Sequence, residues 1–236
     1  MPELGEAGRL YVFGGQDYTT GNLLNDLHYL DLSTKAWSVV EPGAGTPPTP
    51  RTSHSCAHLA GKLVIFGGSD NGELKLDLLV FDLETSTWST PELAKPVAAR
   101  EMHACCVSGD KMYVIGGRGA EDLLGDVCVF DAATLQWGEA DAIGGISERC
   151  ACGAAAVDGK IYVFGGTNGV AVNNEVEVLD TATGAWLEEK QPKKQPCGRF
   201  AHTVVSVGEN VVVFGGITFE EDLSDVCVLT VLRTGS

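Results

Sequence analysis

Five near-copies of one short apolar run, each closed by two glycines, constrain this chain more than anything else in it. They read RLYVFGG, KLVIFGG, KMYVIGG, KIYVFGG and NVVVFGG. The glycine pairs begin at Gly14, Gly67, Gly116, Gly165 and Gly215, so the steps are 53, 49, 49 and 50 residues. A near-constant period of this length means that one supersecondary unit is repeated, each copy burying its apolar surface against its neighbours.

Residues 51–99 show one unit most clearly. RTSHSCAHL runs through the tight turn AGK into LVIFGG; SDNGELKL then leads to DLLVFDL, the turn ETS and TWSTPEL. Each run is rich in Val, Ile, Leu and aromatics and is bounded by Gly, Asp, Ser or Thr, and none has helical periodicity. Four strands, a to d, therefore form a small antiparallel meander. The glycines closing strand b supply positive φ and close backbone approach. The run before them alternates little because both of its faces are buried between neighbouring units.

Other units agree position by position. Arg51, Arg100, Arg149 and Arg199 open strand a, and His54, His103 and His202 follow three residues later, with Cys152 in the fourth copy. Asp26, Asp77, Asp126, Glu175 and Asp225 open strand c, and Trp37, Trp88, Trp137 and Trp186 lie in strand d. A paired glycine, an acidic residue and a tryptophan in this order resemble the kelch repeat, over nearly the whole chain. The resemblance implies an all-β fold, a kelch-type β-propeller of about five blades, each an antiparallel four-stranded sheet. It implies one domain over 1–236, with units at about 1–48, 49–97, 98–146, 147–196 and 197–236.

The two ends depart from the pattern. Strand a of the first unit would be PELGEA, a poor strand, and Ser236 falls where a fifth strand-d tryptophan is due. Eighteen strands are expected where five full blades need twenty. Either the chain is a shortened form of a longer kelch domain, or it is a five-bladed ring closed irregularly. Incomplete terminal blades leave edges that invite self-association.

A net charge of −16 argues against nucleic acid and anionic membranes, and favours a protein or peptide partner of basic character. No apolar run approaches the roughly 20 residues that span a bilayer, and MPELGEAG has no leader pattern. Eight cysteines without a leader read as free thiols, buried or half-buried, and the expected location is cytoplasmic.

The meander gathers the longer b–c and d–a loops on one rim, where binding residues belong. The b–c loops supply Asp70, Glu73, Lys75, Arg118, Glu121, Asp122, Asn168, Glu220, Glu221 and Asp222 as candidate partner-binding residues. The d–a loops add Lys190, Lys193 and Lys194. The four ordered arginines could form a collar for a carboxylate, as in kelch receptors that grip peptide C-termini. A residue repeated in every unit more often serves its own blade's hydrogen bonding.

The expected function is a non-enzymatic scaffold or adaptor, with no catalytic residue, no metal and no cofactor. The final strand, SDVCVLTV, looks like the ending of Rab-type kelch effectors. The alternative is a metal-dependent enzyme or a specifier-type kelch protein using the same rim. Plant specifier proteins resemble the chain in having five kelch units, with a Glu, Asp, His iron series spaced every four residues. Glu73 and Asp77 match two places, but Phe81 occupies the third. Cys150 and Cys152 point to one strand face and form the most metal-like pair, with Cys197 the nearest further donor.

Overall fold

The computed structural model describes residues 8–138, 145–188, 191 and 194–231. Among these there is no helix; the chain is strands and turns. It divides into two compact units, residues 1–92 with 99–101, and residues 93–98 with 102–236.

The first unit holds two sheets. β1 (Arg9–Gln16), β2 (Leu23–Asp31) and β3 (Trp37–Val39) form an antiparallel three-stranded meander. β4 (Ser55–Leu59) and β5 (Lys62–Phe66) begin the second sheet, and β6 (Ser69–Asp70) with β7 (Glu73–Leu74) makes a two-stranded ribbon on it. β8 (Leu78–Asp82) and β9 (Thr87–Ser89) complete its four strands.

The second unit holds three sheets. The third comprises β10 (Ala104–Ser108), β11 (Lys111–Arg118), β12 (Leu123–Asp131) and β13 (Gln136–Trp137). The fourth comprises β14 (Gly153–Val157), β15 (Lys160–Phe164), β16 (Val176–Asp180) and β17 (Ala185–Leu187). β18 (Thr203–Val207), β19 (Asn210–Phe214) and β20 (Val226–Thr230) form the three-stranded fifth. These five antiparallel sheets are the blades of a kelch-type β-propeller fold, with eighteen described blade strands as the repeat requires. The stretches expected to hold strand a of the first unit and strand d of the last lie, entirely or almost entirely, outside the described residues.

Local chemistry explains the meander. Aspartates at the ends of β2, β8, β12 and β16 each turn the chain into strand d. Asp31, Asp82, Asp131 and Asp180 each accept, on Oδ1, the backbone N–H groups two and three residues ahead. An acceptor so placed builds a turn from its own side chain. Hydrogen bonds to Ser33 and Thr34 accordingly hold the Asp31 carboxyl at about 2. In the fifth blade Thr230 holds this place, and its hydroxyl donates instead to Asn210 at 2.8 Å.

The glycine pair does what its spacing implied. Gly68 has φ of 89°, and a Cβ there would lie 2.6 Å from the Thr52 carbonyl and 2.7 Å from His54 Cβ. Gly165, at φ 70°, leaves 2.4 Å to the Arg199 carbonyl, the first residue of the next blade's turn.

Burial of strand b differs from blade to blade. β5, β11 and β15 are buried along nearly their whole length. β1 and β19 repeat their sequence yet alternate, with Leu10, Val12 and Phe214 exposed. The first unit's core joins Phe13 and Leu27 to Leu63, Ile65, Phe81 and Trp88 of the next blade. In the second unit, Tyr113 and Ile115 pack with Ile161, Val163 and Leu179. Each such side chain contributes about 1.5–3 kcal/mol by leaving water.

Candidate functional site

The repeated arginines are structural, and their geometry shows how. Arg51 has no exposed surface. It donates to both oxygens of Asp77, at 2.7 and 2.8 Å, and to the Gly67 carbonyl at 3.0 Å. Arg199 repeats this on Asp225, at 2.6 and 3.0 Å, and on the Gly215 carbonyl. Each guanidinium thus ties the entry of strand a to the glycine turn and to strand c in a bidentate pair. In the fourth blade Arg149 donates to Glu177, the second residue of β16.

Nor do the arginines open strand a; they lie in the preceding turn, four residues before its first residue. Between them stand Ser53, Met102, Ala151 and Ala201, all non-glycine and all left-handed, with φ of 52–57°. Such a conformation costs about 1–3 kcal/mol. Backbone bonds hold it: Ala151 N–H donates to Met102 and Ala201 N–H to Ala151, at 2.7 and 2.9 Å, stitching the three blades of the second unit together. The next residue in this turn is the histidine or Cys152. His54 lies edge-on to Phe13 and His202 edge-on to Phe164. Burial, and then the neighbouring arginine, hold both rings at a pKa of about 4. Burial pushes the Cys152 thiol up to about 11.

On the rim of the first unit, Asp70, Glu73 and Lys75 come together around the β6–β7 ribbon. The Lys75 ammonium lies 3.1 Å from Glu73 and 3.8 Å from Asp70. In the second unit the candidates occupy three separate loops. Exposed Arg118 ends β11, and Glu121 and Asp122 lie in a turn closed by Gly119 N–H donating to the Asp122 carbonyl. Asn168 accepts from the N–H groups of Val170 and Ala171, which spends its side-chain oxygen on its own turn. It lines a cleft of about 280 Å³ with Glu148, Arg149 and Asn173. Glu220, Glu221 and Asp222 are exposed, and Thr218 accepts the N–H groups of the first two. Their carboxylates are left facing solvent while the backbone is fixed. Lys194 lies in the d–a segment before the fifth blade; Lys190 and Lys193 lie outside the described residues.

Comparison with known proteins agrees with this frame. The model of the KLHDC2/KLHL20/DRC7 Kelch-repeats domain matches residues 4–166 and 135–234. The chain belongs to this kelch-repeat family. Acyl-CoA-binding domain-containing protein 5 of Arabidopsis thaliana is 48% identical over 81 residues, 34% of this chain and 12% of that protein. The Rab9 effector protein with kelch motifs of Bos taurus is 42% identical over 87 residues, covering 35% and 23%. Kelch domain-containing protein 1 of Mus musculus is 43% identical over 65 residues, covering 28% and 16%. The matched stretch is thus a minor part of each relative's length. Kelch propellers are generally protein-interaction folds, and no helix among the described residues is long and apolar enough to cross a membrane.

Residues that charge-based reading missed sit at the loop tips of this kelch domain. Tyr18 is 93% exposed, Leu76 51%, Val170 86% and Phe219 58%. Each lies in the b–c loop of its blade, and Phe219 rests against Phe200, with ring centroids 5.7 Å apart. A large apolar residue that no strand periodicity demands was the available signal.

The metal-like donors are spoken for. Asp77 gives both oxygens to Arg51, and Glu73 faces Lys75. The Cys150 thiol points at the Thr167 carbonyl and Cys197 at Arg199. Among the described residues no group of three His, Cys, Asp or Glu side chains could hold one ion. All eight cysteines are free thiols, and Cys56 and Cys197 are exposed, against the expectation that they are covered.

Proposed function

We propose that this kelch domain is a non-enzymatic scaffold or adaptor, cytoplasmic, whose b–c and d–a loops bind a protein partner. The observation that carries this reading is the pairing of chemistries on neighbouring loops of the second unit. Val170 and Phe219 present apolar anchors, and Glu220, Glu221 and Asp222 stand beside the second of them. Apolar anchors ringed by charge concentrate binding energy while charge selects the partner. The partner chemistry that fits is an apolar residue flanked by Lys or Arg. The name of the Rab9 effector relative supports a role of this kind, on the stretch the two share.

Proximity labelling followed by cross-linking on purified protein tests it. Phe219→Ala should weaken the captured interaction about tenfold or more, on the scale of a hot-spot truncation. Reversing Glu220, Glu221 and Asp222 to lysine should lower the association rate and its salt dependence. If both variants bind every captured partner as the parent does, the rim is not the binding surface.

A further inference from the structure

The fifth blade places two cysteines on one ion pair. Cys197 lies two residues before Arg199, and its sulfur is 3.4 Å from Nη2 of that arginine. Cys227, the second residue of β20, donates to Oδ2 of Asp225 at 3.3 Å. Nη2 itself donates to Oδ2 at 3.0 Å, so the two thiols sit at the two ends of one hydrogen bond. The repeat shows that these two positions converge. In the fourth blade they are Ser147 and Glu177, and both side chains accept from the same nitrogen, Nη2 of Arg149. In the second blade Thr49 accepts from Nη2 of Arg51 at 3.2 Å, but the other position is Leu79. The third has Cys128 donating to Asp126, with Ala98 at the other position. Of these four blades only the fifth has a thiol at both. Exposure divides their roles. Cys197 is exposed, whereas Cys227 is half-buried. Burial, and then the hydrogen bond to Asp225, raise the Cys227 thiol above its ordinary value, so it holds its proton while an oxidant meets Cys197.

We propose that Cys197 and Cys227 are a redox-active dithiol, which hydrogen peroxide converts to a disulfide tying the segment that enters the fifth blade to β20. The Cys197 sulfur attacks one peroxide oxygen and the O–O bond breaks. The sulfur becomes a sulfenic acid, and its proton leaves with the second oxygen as water. The Cys227 sulfur then displaces hydroxide from the sulfenic sulfur, and its proton leaves in a second water. Two thiols have lost two electrons and two protons, and one peroxide has become two waters. Arg199 keeps its Nη1 bonds to Asp225 and to the Gly215 carbonyl, so the clamp survives closure. A thiol reductant reverses the bond.

The test uses the purified chain, fully reduced and then given one equivalent of hydrogen peroxide. Free thiols are alkylated, and the digest is mapped without reduction. Two of the eight thiols should be lost, as a Cys197–Cys227 crosslink, and dithiothreitol should restore both. The oxidised form should unfold at higher urea, because the bond closes the loop from 197 to 227 in the unfolded chain. Cys227→Ser should stop the reaction at a sulfenic acid on Cys197, trapped by dimedone. Cys197→Ser should leave Cys227 reduced at the same peroxide dose. The proposal is overturned if peroxide joins Cys150 to Cys152, or two chains through Cys197. It is also overturned if Cys197 reaches the sulfinic acid while Cys227 stays reduced, or if all eight thiols survive.

Discussion

Phe13 and Phe164 hold the same place in the repeat, one residue before the glycine pair, and their surroundings differ by one ring. Phe13 is flanked by His54 at 5.2 Å and by Trp88 at 5.6 Å. Phe164 has His202 at 5.4 Å, and among the described residues a cleft, not a tryptophan, lies on its other side. The difference teaches where a kelch tryptophan does its work. It belongs in sequence to one blade but fills the wall of the blade before it, so it measures the contact between blades.

Making the second blade resemble the fifth is the strongest way to break the comparison. Trp88 is 6% exposed, and Trp88→Ala empties its place between Phe13 and Phe81. The expected loss is about 3–5 kcal/mol, as for other buried aromatic truncations, read as a lower urea midpoint. A loss under about 1 kcal/mol would mean that the first unit tolerates the open arrangement seen beside Phe164.

The arginine clamps test whether the two blades share a frame despite that difference. Asp77→Ala strands the buried Arg51 guanidinium and should cost about 3 kcal/mol or more. Arg51→Met should cost less, because the Asp77 side chain is 37% exposed and can turn to water. In the fifth blade the Asp225 side chain is 50% exposed, so Asp225→Ala should destabilise less than Asp77→Ala. Equal losses in chemical denaturation would show that exposure of the acid does not set the strength of the clamp.

Acid sharpens the comparison further, since His54 and His202 flank the two phenylalanines. Their folded pKa of about 4 lies below the ordinary value near 6.5. The unfolded chain therefore binds protons first, so stability is full above pH 6.5 and falls as pH drops towards 4. Each ring accounts for up to about 3 kcal/mol of that fall. Asp31 and Asp225, held at about 2, add a second loss from about pH 3.8 downwards. His54→Gln should flatten the slope between pH 6.5 and 4 and leave the lower limb unchanged. An unchanged upper slope would place the titration elsewhere.

Much of this frame was legible because the repeat reports backbone requirements five times over. Gly68 and Gly165 can only be glycine, and the strand count follows from the terminal departures. The arginines were read as strand openers, because a left-handed alanine or methionine leaves no mark in sequence. Ala151 and Met102 could equally lie in a strand, and only tertiary hydrogen bonds force them otherwise. Glu177 was not foreseen as the partner of Arg149, because the repeat aligns Glu175 with Asp77 and Asp225. At the rim, counting charges found the solvent-facing acids but passed over Val170 and Phe219, since apolar residues were assigned to strands.

Trp37 carries the smallest expected effect and separates sequence position from environment. It stands opposite Leu30 in β3, as Trp88 stands opposite Phe81, yet it is 55% exposed. Its sheet has three described strands, and within its unit no blade precedes it. If tryptophan stabilised its own strand d, Trp37→Ala and Trp88→Ala would cost about the same. If it stabilises the junction between blades, Trp37→Ala should stay within about 0.5 kcal/mol, as for other surface changes. Acrylamide quenching gives an independent reading, since the four tryptophans can be removed singly. Loss of Trp37 should remove the most quenchable part of the emission, and loss of Trp88 a shielded part. A large stability loss at Trp37 would show that an exposed tryptophan still anchors its own sheet, and the junction account would then fail at its simplest test.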